Sequence, residues 1–348
     1  MTKLNRIFMV LAISSLFMVS CSNDDDASDT PLGVYDNGFF VLNEGGTAVS
    51  SSSVTFISNS GSVEQNVFGK VNPSAVGLGT YLQSLFFDDT RAFIISGSAN
   101  KITVVDRYSF EFIATIDTNF SSPRYGTVVN GKAYVTNSAG YELGGADDFL
   151  TVIDLTTYST SKVALNKTSE KITSENGKVY ISNGYFGDGT SITVFNPANN
   201  SVEKTIELGY TPDSFDEEDG ILYVLGSKLA KIQLSTNEVI GTPLALPTAQ
   251  AAAKNLTIED DKLYYTVDTA VYVMNKNATA ASTTPLFSYV SNSVYGAMYG
   301  FTVNDDRIYV AEGGSFTSAS EVYTYTLNGT LDKTFEVGVG PNGFYFND

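Results

Sequence analysis

One seven-residue pattern constrains this chain more than any other feature. Gly177-Lys178-Val179-Tyr180-Ile181-Ser182-Asn183 recurs as Gly131-Lys132-Ala133-Tyr134-Val135-Thr136-Asn137. Shorter versions are Gly220-Ile221-Leu222-Tyr223-Val224-Leu225, Asp261-Lys262-Leu263-Tyr264-Tyr265-Thr266 and Asp306-Arg307-Ile308-Tyr309-Val310-Ala311. Arg91-Ala92-Phe93-Ile94-Ile95-Ser96 carries Phe where the others carry Tyr. The anchors Phe93, Tyr134, Tyr180, Tyr223, Tyr264 and Tyr309 stand 41, 46, 43, 41 and 45 residues apart. A period of roughly 40–50 residues built from short strands is the signature of a propeller or a similar array. The repeat therefore favours one closed domain over the two that 348 residues would allow.

Between anchors the chain reads strand, turn, strand. Apolar and polar residues alternate, Val, Ile, Tyr and Phe are abundant, and Gly, Asn and Asp punctuate the runs. No long amphipathic helix is apparent; the Ala-rich stretch 248–254 is brief. Each anchor strand is followed by a second apolar run at 101–106, 149–154, 191–196, 229–234, 270–274 or 321–325. With 38–42 and 53–57 as an opening unit, the count is seven. Gly343-Phe344-Tyr345-Phe346 is left over as one more strand. A ring must join its first and last sheets, so this strand is expected to complete the first blade and protect its edge. The fold expected is all-β, a seven-bladed β-propeller over 34–348, with most of the 21 Tyr and 22 Phe in its core.

Composition narrows the chemistry. Acids outnumber bases 38 to 20, a formal charge of −18, which disfavours nucleic acid as a partner. There is no His, so Ser-His-Asp and Cys-His arrangements are excluded. No phosphate-binding GxxxxGK[ST] stretch is present. Asp147-Asp148 is a pair that could ligate calcium or simply be a solvated turn. The expectation is a non-catalytic protein without a cofactor or a metal site.

In a propeller, the loops after second strands share a face with the connections that enter each inner strand. That face surrounds the mouth of the central channel, and function is carried by its loops. Two such loops are long, at 137–148 and 183–190. The candidate ligand-binding residues on this face are Asn43, Glu44, Tyr81, Arg124, Tyr125, Asn137, Asn183, Tyr185, Phe186, Asp213, Tyr295, Tyr299 and Glu312. Aromatic faces cover flat apolar surface, while Asn and Tyr bind amides and alcohols.

The N-terminus carries its own signal. Lys3 and Arg6 precede an apolar run over 7–19 that is too short to span a membrane. Met18-Val19-Ser20-Cys21 resembles a bacterial lipobox, which implies a signal peptide over 1–20 and an acylated Cys21. Several acyl chains at about 0.8 kcal/mol per buried methylene make a stable membrane anchor. Residues 21–33 are expected to form a disordered tether. Asp24-Asp25-Asp26 within it suits a solvated linker and also resembles the acidic signal that exports some lipoproteins to the outer face of the outer membrane.

The GKxYVxN strand and the xITVFN or xLTVID strand that follows it together resemble YVTN-type seven-bladed propellers over roughly residues 38–346. Joined to the lipobox and the acidic run, the chain resembles surface-exposed lipoproteins that capture cobalamin and related corrinoids. The resemblance implies an outer-membrane, lipid-anchored location. It also implies a corrinoid as transported ligand and a TonB-dependent transporter as the partner that receives it. The other readings are a carbohydrate- or protein-binding surface module, and an enzyme such as a lyase or quinoprotein-like oxidoreductase.

Overall fold

A computed structural model describes residues 31–46, 52–140, 144–185 and 187–347. Among these residues the strands form seven antiparallel sheets, arranged as the blades of a propeller. Blade one contains Gly38–Asn43, Ser53–Ser58 and Val63–Glu64, with the C-terminal Pro341–Asn347 as its fourth strand. Blade two runs from Leu82–Phe87 to Phe112–Ile116, and blade three from Pro123–Val129 to Thr160–Ala164. Blade four runs from Ile172–Glu175 to Ser201–Glu207, and blade five from Pro212–Glu218 to Glu238–Val239. Blade six runs from Lys254–Glu259 to Phe287–Ser288, and blade seven from Gly300–Asn304 to Leu331–Val337. Among the described residues the helices are a turn of α-helix at Val67–Val71 and a 3₁₀ turn at Thr248–Gln250.

The recurring motif has a local explanation. Asn130-Gly131, Asn176-Gly177 and Asp219-Gly220 all have positive φ at both positions, the type I′ geometry that matches the twist of a tight hairpin. They connect inner strands to second strands. Asp260-Asp261 and Asp305-Asp306 adopt the same conformation without glycine. At the far end of the third strand, Asp106 and Asp154 accept the backbone N–H groups two and three residues on, so each begins the next turn.

The aromatic anchors sit between blades. Tyr180 packs with Leu222 and Val224 of blade five, and Tyr223 with Leu263 and Tyr265 of blade six. Tyr264 packs with Ile308 and Val310 of blade seven, and Tyr309 with Phe39, Val41 and Ile57 of blade one. Tyr134 and Phe93 likewise lie against blades four and three. Phe40, buried against Leu85 and Ile94 of blade two, is the seventh anchor. Burying each large ring stabilises the ring of blades by roughly 1.5–3 kcal/mol. The Tyr180 hydroxyl donates to Asn237 of the next blade at 2.9 Å, which removes the cost of burying it.

Closure occurs as the leftover strand suggests. Phe344 pairs with Val41, Tyr345 with Phe40 and Phe346 with Phe39. The last strand is thus the inner strand of the first blade, so the two ends of the propeller share one sheet.

Candidate functional site

Inner strands of neighbouring blades contact one another around the central axis, and their upper ends surround a cavity of about 1110 Å³. How the strands reach this cavity is the unexpected feature. Where an inner strand meets its second strand, the register slips in five blades. The residues in the slips are Asn342, Gln83, Arg124 with Tyr125, Asp213, and Asn255 with Leu256. All but Leu256 line the cavity. A β-bulge turns a side chain out of the regular alternation, and here the repeated bulge turns polar and aromatic groups towards the axis.

Neighbouring bulges are tied together. Asn342 Nδ2 donates to the Leu82 carbonyl at 2.8 Å, and Ser84 Oγ to the Arg124 carbonyl at 2.6 Å. Asp213 Oδ2 accepts the Asn255 N–H at 3.0 Å. These bonds fix the cavity wall from blade to blade, so the site is held by rigid strands as well as loops.

Arg124 is held in the wall by three hydrogen bonds. Its Nε and Nη2 donate to Glu170 at 2.8 and 2.7 Å, and its Nη1 donates to Gln83 at 2.5 Å. The guanidinium lies 4.8 Å from the centre of the Tyr185 ring. Burial acts against the charge, but Glu170 outweighs it and holds the guanidinium above its ordinary value. On the same wall, the Tyr299 hydroxyl donates to Glu44. Burial raises the Glu44 carboxyl, against the opposing effects of Tyr299 and Arg124. Lys171 places its ammonium 4.4 Å from the centre of the Tyr125 ring. Phe301, Phe344 and Tyr345 add aromatic surface to the wall.

The structure brings together Glu44, Arg124, Tyr125, Tyr185, Asp213, Tyr295 and Tyr299 on this one cavity. The other candidates lie elsewhere. Asn43 and Asn137 are buried at the ends of their second strands and donate to Thr55 at 3.0 Å and Thr151 at 2.9 Å. Asn183, also buried, accepts from Thr193 at 2.8 Å. The Asn of the repeat and the Thr two residues into the facing strand are therefore partners in a structural layer, not cavity wall. Glu312 is buried too and accepts the Tyr289 hydroxyl at 2.8 Å. Tyr81 is 42% exposed outside the cavity, with a positive φ. Phe186 and Cys21 lie outside the described residues.

Residues that sequence reasoning missed are Gln83, Glu170, Lys171, Asn255, Asn342 and Tyr345. Their sequence signal is weak, because a bulge shows only as a break in alternation at the start of an inner strand. Asp147-Asp148 reads differently in three dimensions. Asp148 accepts the N–H groups of Ala139 at 3.2 Å and Ser169 at 2.8 Å, so it ties these two positions together. Gly184 has a steric reason, since a Cβ there would lie 2.1 Å from the Pro212 carbonyl oxygen of the next blade.

A seven-bladed propeller with a wide, bulge-lined axial cavity is the class of protein that this geometry defines. The chain belongs to the family described as a domain of unknown function, DUF5074, which matches residues 37–347. No curated protein matches it. Among solved structures it is similar to a quinonprotein alcohol dehydrogenase-like protein of Bacteroides thetaiotaomicron, at 16% identity and a TM-score of 0.67, over 90% of this chain and 79% of that one. It is similar to BamB of Moraxella catarrhalis at 14% identity and a TM-score of 0.55, over 88% and 85%. It is also similar to a streptogramin B lyase at 13% identity and a TM-score of 0.56, over 88% and 91%. At these identities the likeness is one of fold.

Proposed function

We propose that this protein is a non-catalytic surface lipoprotein whose axial cavity captures a bulky small molecule, a cobalamin or related corrinoid, and passes it to a TonB-dependent outer-membrane transporter. The observation that carries the reading is the cavity itself, about 1110 Å³ and walled by Tyr125, Tyr185, Tyr299, Tyr345, Phe301 and Phe344 between polar bulges. A corrinoid is broad, with apolar ring edges and amide side chains, and such a wall offers it both apolar cover and hydrogen bonds. The anchor rests on Met18-Val19-Ser20-Cys21, and the outward location on Asp24-Asp25-Asp26. The protein would then sit at the membrane by its acylated Cys21 and meet the transporter there.

Calorimetry of the purified chain with cyanocobalamin tests the capture step. Saturable heat at micromolar protein is expected, and its absence counts against a corrinoid. Tyr295, at the cavity rim and 87% exposed, favours a second reading in which the mouth stacks a sugar ring. Binding on a glycan array without corrinoid binding would select it. Incorporation of labelled palmitate that is lost in Cys21→Ala, together with protease access on intact cells, tests the anchor and its exposure.

A further inference from the structure

The charged groups of the cavity wall are unequally satisfied. Arg124 has its carboxylate, since Glu170 takes two of its N–H groups and Gln83 a third. Glu44 has the Tyr299 hydroxyl, and Asp213 has the Asn255 N–H. Lys171 differs. Among the described residues no carboxylate oxygen lies within 4.0 Å of its Nζ, and its close neighbour is Tyr125, whose ring centre is 4.4 Å away and whose side chain hydrogen-bonds it. Burial lowers its pKa, but Tyr125, Asp213 and Glu170 outweigh that and hold the ammonium above its ordinary value. The cavity therefore keeps a recessed ammonium whose N–H groups are not taken by any carboxylate, in a chain of formal charge −18.

We infer that Lys171, with Tyr125 beside it, is an anion subsite within the axial cavity, and that the captured molecule carries a phosphate or carboxylate group that seats there. The inference rests on the capture reading above and narrows it from a bulky ligand to a bulky ligand with an anionic arm. Three features of the wall favour an anion there. Each cavity carboxylate just named has a donor of its own, so the ligand does not compete with an existing salt bridge. The ammonium is partly withdrawn from water in its recess, so pairing costs less dehydration than it would for a fully exposed lysine. A charge-assisted hydrogen bond in such a recess is stronger than one at the surface.

Two corrinoids separate the inference from the reading it rests on. Cyanocobalamin carries a phosphodiester in its nucleotide arm, and dicyanocobinamide lacks that arm. Calorimetry on the full chain is expected to give cyanocobalamin an advantage of about tenfold or more. Lys171→Met is expected to bring cyanocobalamin down to the level of dicyanocobinamide, and Lys171→Arg to keep most of the advantage. An unchanged thermal midpoint shows that the variants are folded. Equal binding of both corrinoids, with no effect of Lys171→Met, overturns the anion subsite and leaves corrinoid capture standing. If neither corrinoid binds, the capture reading falls, and small anions decide the subsite alone. Phenyl phosphate and benzoate are then titrated while the Lys171 Cε resonance, assigned through Lys171→Arg, is followed by NMR. A saturable shift supports the subsite, and the stronger of the two probes distinguishes phosphate from carboxylate. A resonance that neither anion moves overturns it.

Discussion

Arg124 and Glu170 meet side by side across the boundary between blades three and four, with paired contacts of 2.8 and 2.7 Å. Both side chains are largely buried at the cavity wall. Breaking such a pair leaves an uncompensated charge in a poor solvent for it, at a cost of about 3–5 kcal/mol. Glu170→Ala is therefore expected to lower the urea midpoint sharply. Replacing both partners by Met removes the charges together and is expected to recover most of the loss. A Glu170→Ala protein as stable as the parent would show that the pair has no such role.

The closure of the ring rests on its last residues. Asn347 is fully buried, donates to the Tyr35 carbonyl at 2.6 Å and accepts from Arg107 Nε at 2.5 Å. It thereby fastens the end of the inner strand of blade one to the start of the propeller and to blade two. Asn347→Ala is expected to cost about 2–4 kcal/mol, because one of the lost bonds is to a charged donor. Ending the chain at residue 340 removes the strand and exposes the edge of Gly38–Asn43, and loss of cooperative thermal unfolding is expected. Calorimetric melting of both variants checks the two claims, and an unaltered transition in the truncated chain would contradict them.

The blade count, the closing strand and the anchors were legible because each leaves a strong periodic trace. A buried Tyr between two blades must recur once per blade, and a type I′ turn selects Asn-Gly or Asp-Gly before it. The inner strands were harder to read. Pro212–Glu218 reads PDSFDEE, since one side of it faces the channel and carries no apolar requirement. The site was half legible for the same reason. Arg124, Tyr125 and Asp213 stand out at inner-strand entries, but Gln83 and Asn342 reach the wall only through bulges that no composition announces. Asn137 looked like a ligand amide because its partner, Thr151, is fourteen residues away and is brought to it only by strand pairing.

Asp216 gives the fold a pH signature. Burial pushes its carboxyl up to about 6, against the N–H groups of Ile258 at 2.8 Å and Glu217 at 2.9 Å that favour the ionised form. An unfolded Asp titrates near 3.9, so between these values the folded chain holds more protons than the unfolded one. That contribution to stability falls as pH rises from about 4 to about 6, by roughly 2–3 kcal/mol, and stays lost above. Glu217, also raised by burial, acts in the same direction. Asp216→Asn cannot ionise, so its stability is expected to differ much less between pH 4.5 and pH 7.5, the range suggested by these shifts. Urea melts of both proteins at the two pH values measure the difference, and parallel pH profiles would rule out Asp216 as its source.

The rim separates binding from folding. Val294 and Tyr295 precede the inner strand of blade seven and line the cavity, yet are 83% and 87% exposed. Side chains this exposed contribute little to the fold, so Tyr295→Ala and Val294→Ser are expected to shift stability by no more than about 0.5 kcal/mol. A bulky ligand seated in the cavity would cover the inner faces of both. Truncating Tyr295 then removes an aromatic contact made only in the complex, and affinity for cyanocobalamin is expected to fall about tenfold. Tyr223→Ala reverses the pattern. Its ring is buried between blades five and six, and about 3–5 kcal/mol of stability is expected to be lost. Thermal melting and calorimetry on the same preparations give both numbers for each variant. Equal affinity in Tyr295→Ala and the parent would place the ligand away from the axial mouth, because a molecule filling that mouth cannot avoid its rim.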